Sequence, residues 1–169
     1  LCAVKIMEQG QAMQEANNDQ IQTFHSAVET AVHHLALRNK SIPSLREAQE
    51  HADIALEIAA KVADALPPEK AQEIQEGLMK VFNAAIENAA NNAATGYAGW
   101  PYVYEASEKL DIACDIANAL PPERAPEIRE GLKKLFNATN EGATKFPFFA
   151  KRLLEISNRI AATLKKPGL

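Results

Sequence analysis

The sequence predicts an all-α protein built from antiparallel helical hairpins, six main helices in an up-down bundle or a short α-solenoid. Three observations lead to this prediction: a long internal repeat, apolar residues at helical spacing, and the lack of strand-type runs of valine, isoleucine and threonine. Residues 56–84 and 110–138 are near-copies at a shift of 54, with 19 of 29 positions identical. A fixed internal period is typical of stacked copies of one supersecondary unit, so we interpret it as an internal duplication.

Composition agrees with helices and excludes some functions. Apolar residues make up 47% of the 169 residues but aromatic residues only 6%, which favours closely packed helices with one core. The net charge of -4 argues against a general nucleic-acid binder, which must neutralise phosphates. No run of 18 apolar residues is present, so we expect no transmembrane segment.

The chain divides into a short lead-in and one helical-repeat domain. Residues 1–18 are rich in glutamine and asparagine and carry few apolar residues, which predicts a loose or short helix. Residues 19–169 form the predicted domain. Its three units span about 19–66, 68–120 and 122–166.

Capping and proline signals place the first three helices of the domain. Asp19 with Gln22 has the spacing of a capping box, so the first helix is predicted to begin there and to end near Leu37. Ser44 caps the second helix, which is predicted to run to Leu66. Pro-Pro-Glu at 67–69 then ends it and begins the third helix, because proline is tolerated in a first helical turn.

The last three helices repeat this pattern. The fourth is predicted over 102–120, and a second Pro-Pro-Glu at 121–123 starts the fifth, which ends near Gly142. Pro147 opens the sixth. Some residues before the first Pro-Pro turn are identical to residues 58 positions later in the chain, rather than 54. This difference is about one helical turn, so we expect the second helix to be one turn longer than the fourth.

Two glycines and two phenylalanines recur inside the repeat. Gly77 and Gly131 lie within predicted helices, where glycine costs about 1 kcal/mol relative to alanine. Their recurrence predicts a close helix–helix approach that a side chain would block. Phe82 and Phe136 are the expected large core residues of each unit.

Aromatic residues gather at one end of the predicted structure. Seven of the ten aromatic residues lie in the segments 97–104 and 146–149. Up-down topology places these connections at the same end and the Pro-Pro turns at the other. Because Trp100 and Phe146 each precede a proline, they also fit a hydrophobic staple that fixes the entry of a helix.

We therefore predict a non-catalytic binding or scaffold module that recognises a protein or peptide through this aromatic-rich end. Aromatic side chains bring large contact area and are typical of interfaces. The phosphate loop, the nucleophile elbow and the Cys-x-x-Cys pair of common enzymes are missing from the sequence, and no cofactor is expected. The candidate partner-binding residues are Tyr97, Trp100, Tyr102, Tyr104, Phe146 and Phe148.

A small apolar-ligand carrier is the alternative function. It requires a pocket between helices near the aromatic end, and the aromatic residues of the core would line it. The expected lining residues are Phe24, Phe82, Phe136 and Trp100.

A metal site on the first two helices is a further alternative. Glu29 with His33 and Glu47 with His51 are each four residues apart, so each pair shares a helix face. A metal site would require His25 to converge with these histidines. Local ion pairs are the competing interpretation.

The C-terminal segment is basic, whereas the middle of the chain is acidic. Residues 144–169 hold six basic residues and one acidic residue, against 8 basic and 17 acidic residues in 47–143. The last helix is therefore a candidate to lie along the acidic middle, to dock a partner, or to contact a membrane surface, with a solvated face as the simplest interpretation.

The two cysteines are too few for a disulfide framework, and Cys114 is expected to be a small core residue. If Leu1-Cys2-Ala3 is the remnant of a signal sequence, the protein is secreted or periplasmic.

Overall fold

The computed structural model describes residues 2–37, 42–95 and 100–166. These residues form six α-helices and no β-strand, so the all-α prediction is confirmed. None of the described helices is both long and apolar enough to cross a bilayer. The helices are α1 (Cys2–Ala36), α2 (Ile42–Val62), α3 (Pro68–Thr95), α4 (Trp100–Ala119), α5 (Ala125–Lys145) and α6 (Ala150–Leu164), with short 3₁₀ segments at Pro122–Arg124 and Pro147–Phe149.

The helices lie in two layers. Consecutive helices pair as hairpins, α1 with α2, α3 with α4 and α5 with α6. In one layer α3 lies between α1 and α5, and in the other α4 contacts both α2 and, more lightly, α6. Since each hairpin packs beside the next, the molecule is a short stack of helical hairpins around one core.

The helical glycines mark the closest approaches between hairpins. A Cβ atom on Gly77 would lie 2.5 Å from Cε1 of Phe24, and one on Gly131 would lie 2.7 Å from Cε1 of Phe82. Both phenylalanines are fully buried. The phenylalanine of one hairpin therefore packs over the glycine of the next, in α1 against α3 and again in α3 against α5, which is the close approach that the glycines predict.

Gly142 marks a second close approach between α3 and α5. A Cβ atom there would collide with the backbone carbonyl oxygen of Ala93 and lie 3.2 Å from a methyl group of Leu153. Glycine thus permits the backbones of α3 and α5 to meet near their C-terminal ends.

Phe136, predicted as a core residue, is only half-buried, and it packs against the edge of the core. Cys114 is likewise half-buried against the core, and burial raises the pKa of its thiol.

The first helix begins earlier than the predicted start at Asp19. α1 is continuous from Cys2, so Asp19 and Gln22 lie inside a helix and do not cap one. Residues 5–16 are all exposed, so this stretch of α1 contributes no buried residue to the core. Continuous helix therefore replaces the loose lead-in, although the packed part of α1 begins near the predicted position, at Ile21.

The expectation that the second helix is one turn longer than the fourth is wrong. α2 has 21 residues and α4 has 20. The four extra residues, 63–66, form a turn before Pro67, in which the N–H of Ala65 donates to the carbonyl of Val62 at 3.0 Å. The difference in shift along the repeat is therefore absorbed by a connection and leaves the helices equal.

Candidate functional site

A groove between α4 and α6 is the best-formed candidate site at the aromatic end. Its volume is about 310 Å³, and both apolar and charged side chains line it. Since Val103 stands near the start of α4 and Arg152 near the start of α6, both helices begin at this end. The lining residues are Val103, Tyr104, Ser107, Arg152, Glu155, Ile156 and Arg159.

The groove exists because α6 packs mainly against α5. The buried residues of α6 include Leu153, Ile156 and Ile160, spaced three and four apart on one face of the helix. This face is covered chiefly by α5, and α6 touches α4 only lightly. The outer surfaces of α4 and α6 therefore diverge, and Ile156 lies at the bottom of the gap.

Arg159 joins the two walls of the groove. Its Nη1 donates to Oγ of Ser107 at 2.9 Å, and its Nη2 donates to the carboxylate of Asp111. Both partners lie on α4, about 50 residues earlier in the chain. This ion pair connects α6, in the basic C-terminal segment, to α4, in the acidic middle of the chain.

Arg152 and Tyr104 stand at the more open part of the groove. Nη1 of Arg152 donates to Oε2 of Glu155 at 2.9 Å within the same helix. The side chain of Tyr104 is 56% exposed. A hydrogen bond to the carboxylate of Glu108 raises the pKa of Tyr104, so its phenol stays protonated and acts as a donor.

The structure places one of the predicted partner-binding residues in the groove. Tyr104 lines it, whereas Phe148 lies in the 3₁₀ segment before α6, is 90% exposed and is not among the described lining residues. Phe146 is half-buried, and its N–H donates to the carbonyl of Gly142 at 2.8 Å, as expected of a residue that ends α5. Of the remaining predicted residues, Tyr97 and the side chains of Trp100 and Tyr102 lie outside the described residues.

Sequence reasoning missed the polar side chains of the groove. Arg152 and Arg159 are seven residues apart on α6, which places both guanidinium groups on one helix face. That spacing is the one signal in the sequence that could have identified the two arginines as site residues. Arginines spaced in this way on a helix usually face solvent, so the spacing alone did not indicate a site. Nothing local in the sequence indicates that Ser107 lies opposite them.

Two histidines of the first helices contact glutamates, His25 across to α3 and His51 within its own helix. Nε2 of His25 lies 2.7 Å from Oε1 of Glu73 on α3, and Nδ1 of His51 lies 2.9 Å from the carbonyl oxygen of Glu47. Lys70 and His25 lower the pKa of Glu73 through hydrogen bonds. Across the described ranges, no three histidine, cysteine or acidic side chains are arranged to hold a metal ion.

A second cavity, of about 380 Å³, lies at the end of the molecule that carries the Pro-Pro turns. Its lining is mostly apolar, and Gln75 is the one polar side chain among the described residues that form it. Phe24 and Phe82, two of the residues expected to line a ligand pocket, are fully buried against Gly77 and Gly131 and line neither of these two cavities, and the side chain of Trp100 lies outside the described residues. The residues that line this second cavity are Leu56, Ala59, Ala60, Val62, Ala63, Leu66, Ala71, Ile74, Gln75, Leu78, Ala119 and Pro121.

A buried lysine lies outside both cavities. Lys109 is 4% exposed, and its Nζ lies 3.7 Å from Oε2 of Glu105. Burial lowers the pKa of Lys109, since desolvation disfavours its charged form. Asn92 of α3 donates to the same carboxylate at 3.5 Å. These contacts join α3 to α4 and leave the lysine little access to solvent.

Comparison of this chain with known protein families, curated proteins and solved structures gives no significant match.

Proposed function

We propose that this protein is a non-catalytic helical binding module that holds a segment of another protein in the groove between α4 and α6. The observation that carries the proposal is an open groove lined by the exposed Tyr104, in a molecule that also exposes Phe148 in the segment just before α6. Burial of an exposed side chain as large as that of Phe148 beneath a partner would favour binding.

The groove suits recognition better than catalysis. Arg159 is held by Ser107 and Asp111, and Arg152 is bonded to Glu155, so the charged groups are positioned by other side chains. Among the described lining residues, the possible base Glu155 and the possible nucleophile Ser107 each accept a hydrogen bond from an arginine, Arg152 and Arg159 respectively. Fixed polar groups beside apolar surface are typical of sites that orient a bound segment.

Site-specific photo-cross-linking in cells that express the protein tests this proposal. A photoreactive phenylalanine analogue at Tyr104 should give a discrete protein adduct. The same analogue at Lys134, an exposed residue on α5, should not give it. The adduct from position 104 should disappear when Val103→Glu places a charge in the groove. No adduct from position 104, or an equal adduct from both positions, would contradict the proposal.

A second candidate function is the carriage of a small apolar ligand. The apolar cavity at the Pro-Pro end favours it, because its volume falls within the range of about 300–1,000 Å³ that is common for ligand pockets. The ligand would lie against Leu56 and Ile74, on the opposite end of the molecule from the groove.

A further inference from the structure

We propose that two copies of this chain associate through the exposed part of α1, each copy inserting it into the apolar cavity at the Pro-Pro end of the other. Residues 5–16, all of them exposed, form this part of α1, which we call the arm. The cavity is separate from the α4–α6 groove, so the dimer does not depend on the proposed function.

The arm extends well beyond the rest of the molecule. α1 has 35 residues, whereas α2, its antiparallel partner, has 21. At about 1.5 Å per residue, the surplus of 14 residues is roughly 21 Å long. Because α1 and α2 are antiparallel, the arm projects from the end where α2 finishes, and that end carries the Pro-Pro turns.

The arm holds a concentration of exposed apolar side chains. Seven large apolar side chains are exposed among the described residues, and three of them, Ile6, Met7 and Met13, lie in the arm. These three fall within about a third of the circumference of the helix, so they form one apolar stripe. A contiguous apolar surface on a helix is typical of a helix that packs against protein.

The apolar cavity has the complementary form. Five of its described lining residues are alanines, whose small side chains leave room for larger ones. Leu56 and Leu66, also in the lining, are only half-buried. None of the described lining residues is charged, so the insertion of isoleucine and methionine removes no charge of the lining from water. Methionine also fills irregular gaps well, because its side chain is flexible.

The positions of the arm and the cavity indicate a second copy as the partner. Both lie at the same end of the chain, yet α1 is one continuous helix that carries the arm away from its own cavity. No residue of α1 is among the described residues that line the cavity. Two copies that face each other end to end about a two-fold axis bring each arm to the other copy's cavity, and the assembly closes at two chains.

The dimer joins monomers that are already folded. Among the described residues of α1, burial begins at Ile21, so each core is complete without the arm. Below the dissociation constant of the dimer, the arm therefore adds little to the stability of the domain. Above it, association raises the unfolding midpoint as the protein concentration increases.

Sedimentation equilibrium of the full chain tests the proposal. The wild type should show a monomer–dimer equilibrium at concentrations below about 1 mM. The double variant Met7→Glu, Met13→Glu should raise the dissociation constant at least about a hundredfold, because both copies lose their apolar contact. Ala60→Glu should have the same effect, since Ala60 lines the cavity and is itself exposed. Leu154→Glu, which replaces an apolar residue 45% exposed on α6, should associate as the wild type does.

A mixture of the two kinds of variant distinguishes contact of an arm with a cavity from contact between arms. The double variant retains its cavity and Ala60→Glu retains its arm, so together they form one intact contact and should associate better than either variant alone. Circular dichroism should show that all variants fold. A dimer that persists in Ala60→Glu, or a mixture that associates no better than its components, would overturn the proposal. A wild type that stays monomeric to about 1 mM would also overturn it, and would leave the cavity to a small apolar ligand.

Discussion

Gly142 and Gly10 are both helical glycines, but their surroundings differ. A Cβ atom at Gly142 would collide with the carbonyl oxygen of Ala93, whereas none of the described atoms lies within 4 Å of one at Gly10. We predict that Gly142→Ala destabilises the protein by about 2–3 kcal/mol, because a backbone atom cannot move aside in a packed interface. Gly10→Ala should instead be neutral or stabilise the helix by up to about 1 kcal/mol.

Urea denaturation of the two variants beside the wild type measures this difference. The free energy of unfolding should fall for Gly142→Ala and stay equal or rise for Gly10→Ala. Because both variants replace a helical glycine by alanine, Gly10→Ala controls for the general effect of alanine on helices. A Gly142→Ala variant as stable as the wild type would show that α3 and α5 do not meet at Ala93.

At the scale of the element, the described side chains in the first half of α1, residues 5–16, are all exposed. Ile6, Met7 and Met13 are 67–68% exposed. We predict that deletion of residues 1–16 changes the free energy of unfolding by less than about 1 kcal/mol, since surface groups contribute little. Circular dichroism of the shortened protein should show a weaker helical signal than that of the wild type. Its unfolding transition in urea should have the same midpoint.

A longer deletion through residue 28 is the control, because it removes Phe24 and Val28 from the core. That variant should not fold. If the short deletion also prevents folding, the exposed half of α1 has contacts that stabilise the domain.

The same element shows what sequence reasoning could not predict. Asp19 with Gln22 has the spacing of a helix start, yet the same residues are tolerated inside a helix when no proline breaks the chain before them. The Pro-Pro-Glu segments were more informative, since proline removes a backbone donor and breaks a helix interior. This is why the positions of both Pro-Pro turns were predicted correctly, whereas the start of α1 was not.

At the scale of the whole molecule, the order of helices follows from the sequence, but the groove does not. Apolar spacing and two recurrent glycines predicted that the helices pack closely. The groove depends on how far α6 diverges from α4. That divergence follows mainly from the packing of α6 on α5, and long-range contacts such as that between Arg159 and Asp111, 48 residues apart, join the two walls. No local pattern encodes such a distance, so Tyr104 was predicted as a contact residue while its polar neighbours were not.

The central claim is that a protein segment binds between α4 and α6, and methyl NMR tests it most directly. A peptide selected on the wild-type chain is titrated into protein with labelled isoleucine, leucine and valine methyl groups. The account predicts that the Val103 and Ile156 signals shift together with one dissociation constant while Ile74 and Leu78, in the apolar cavity at the other end, stay unchanged. Shifts at Ile74 and Leu78 with an undisturbed Val103 would contradict the claim and favour the second cavity as the binding site.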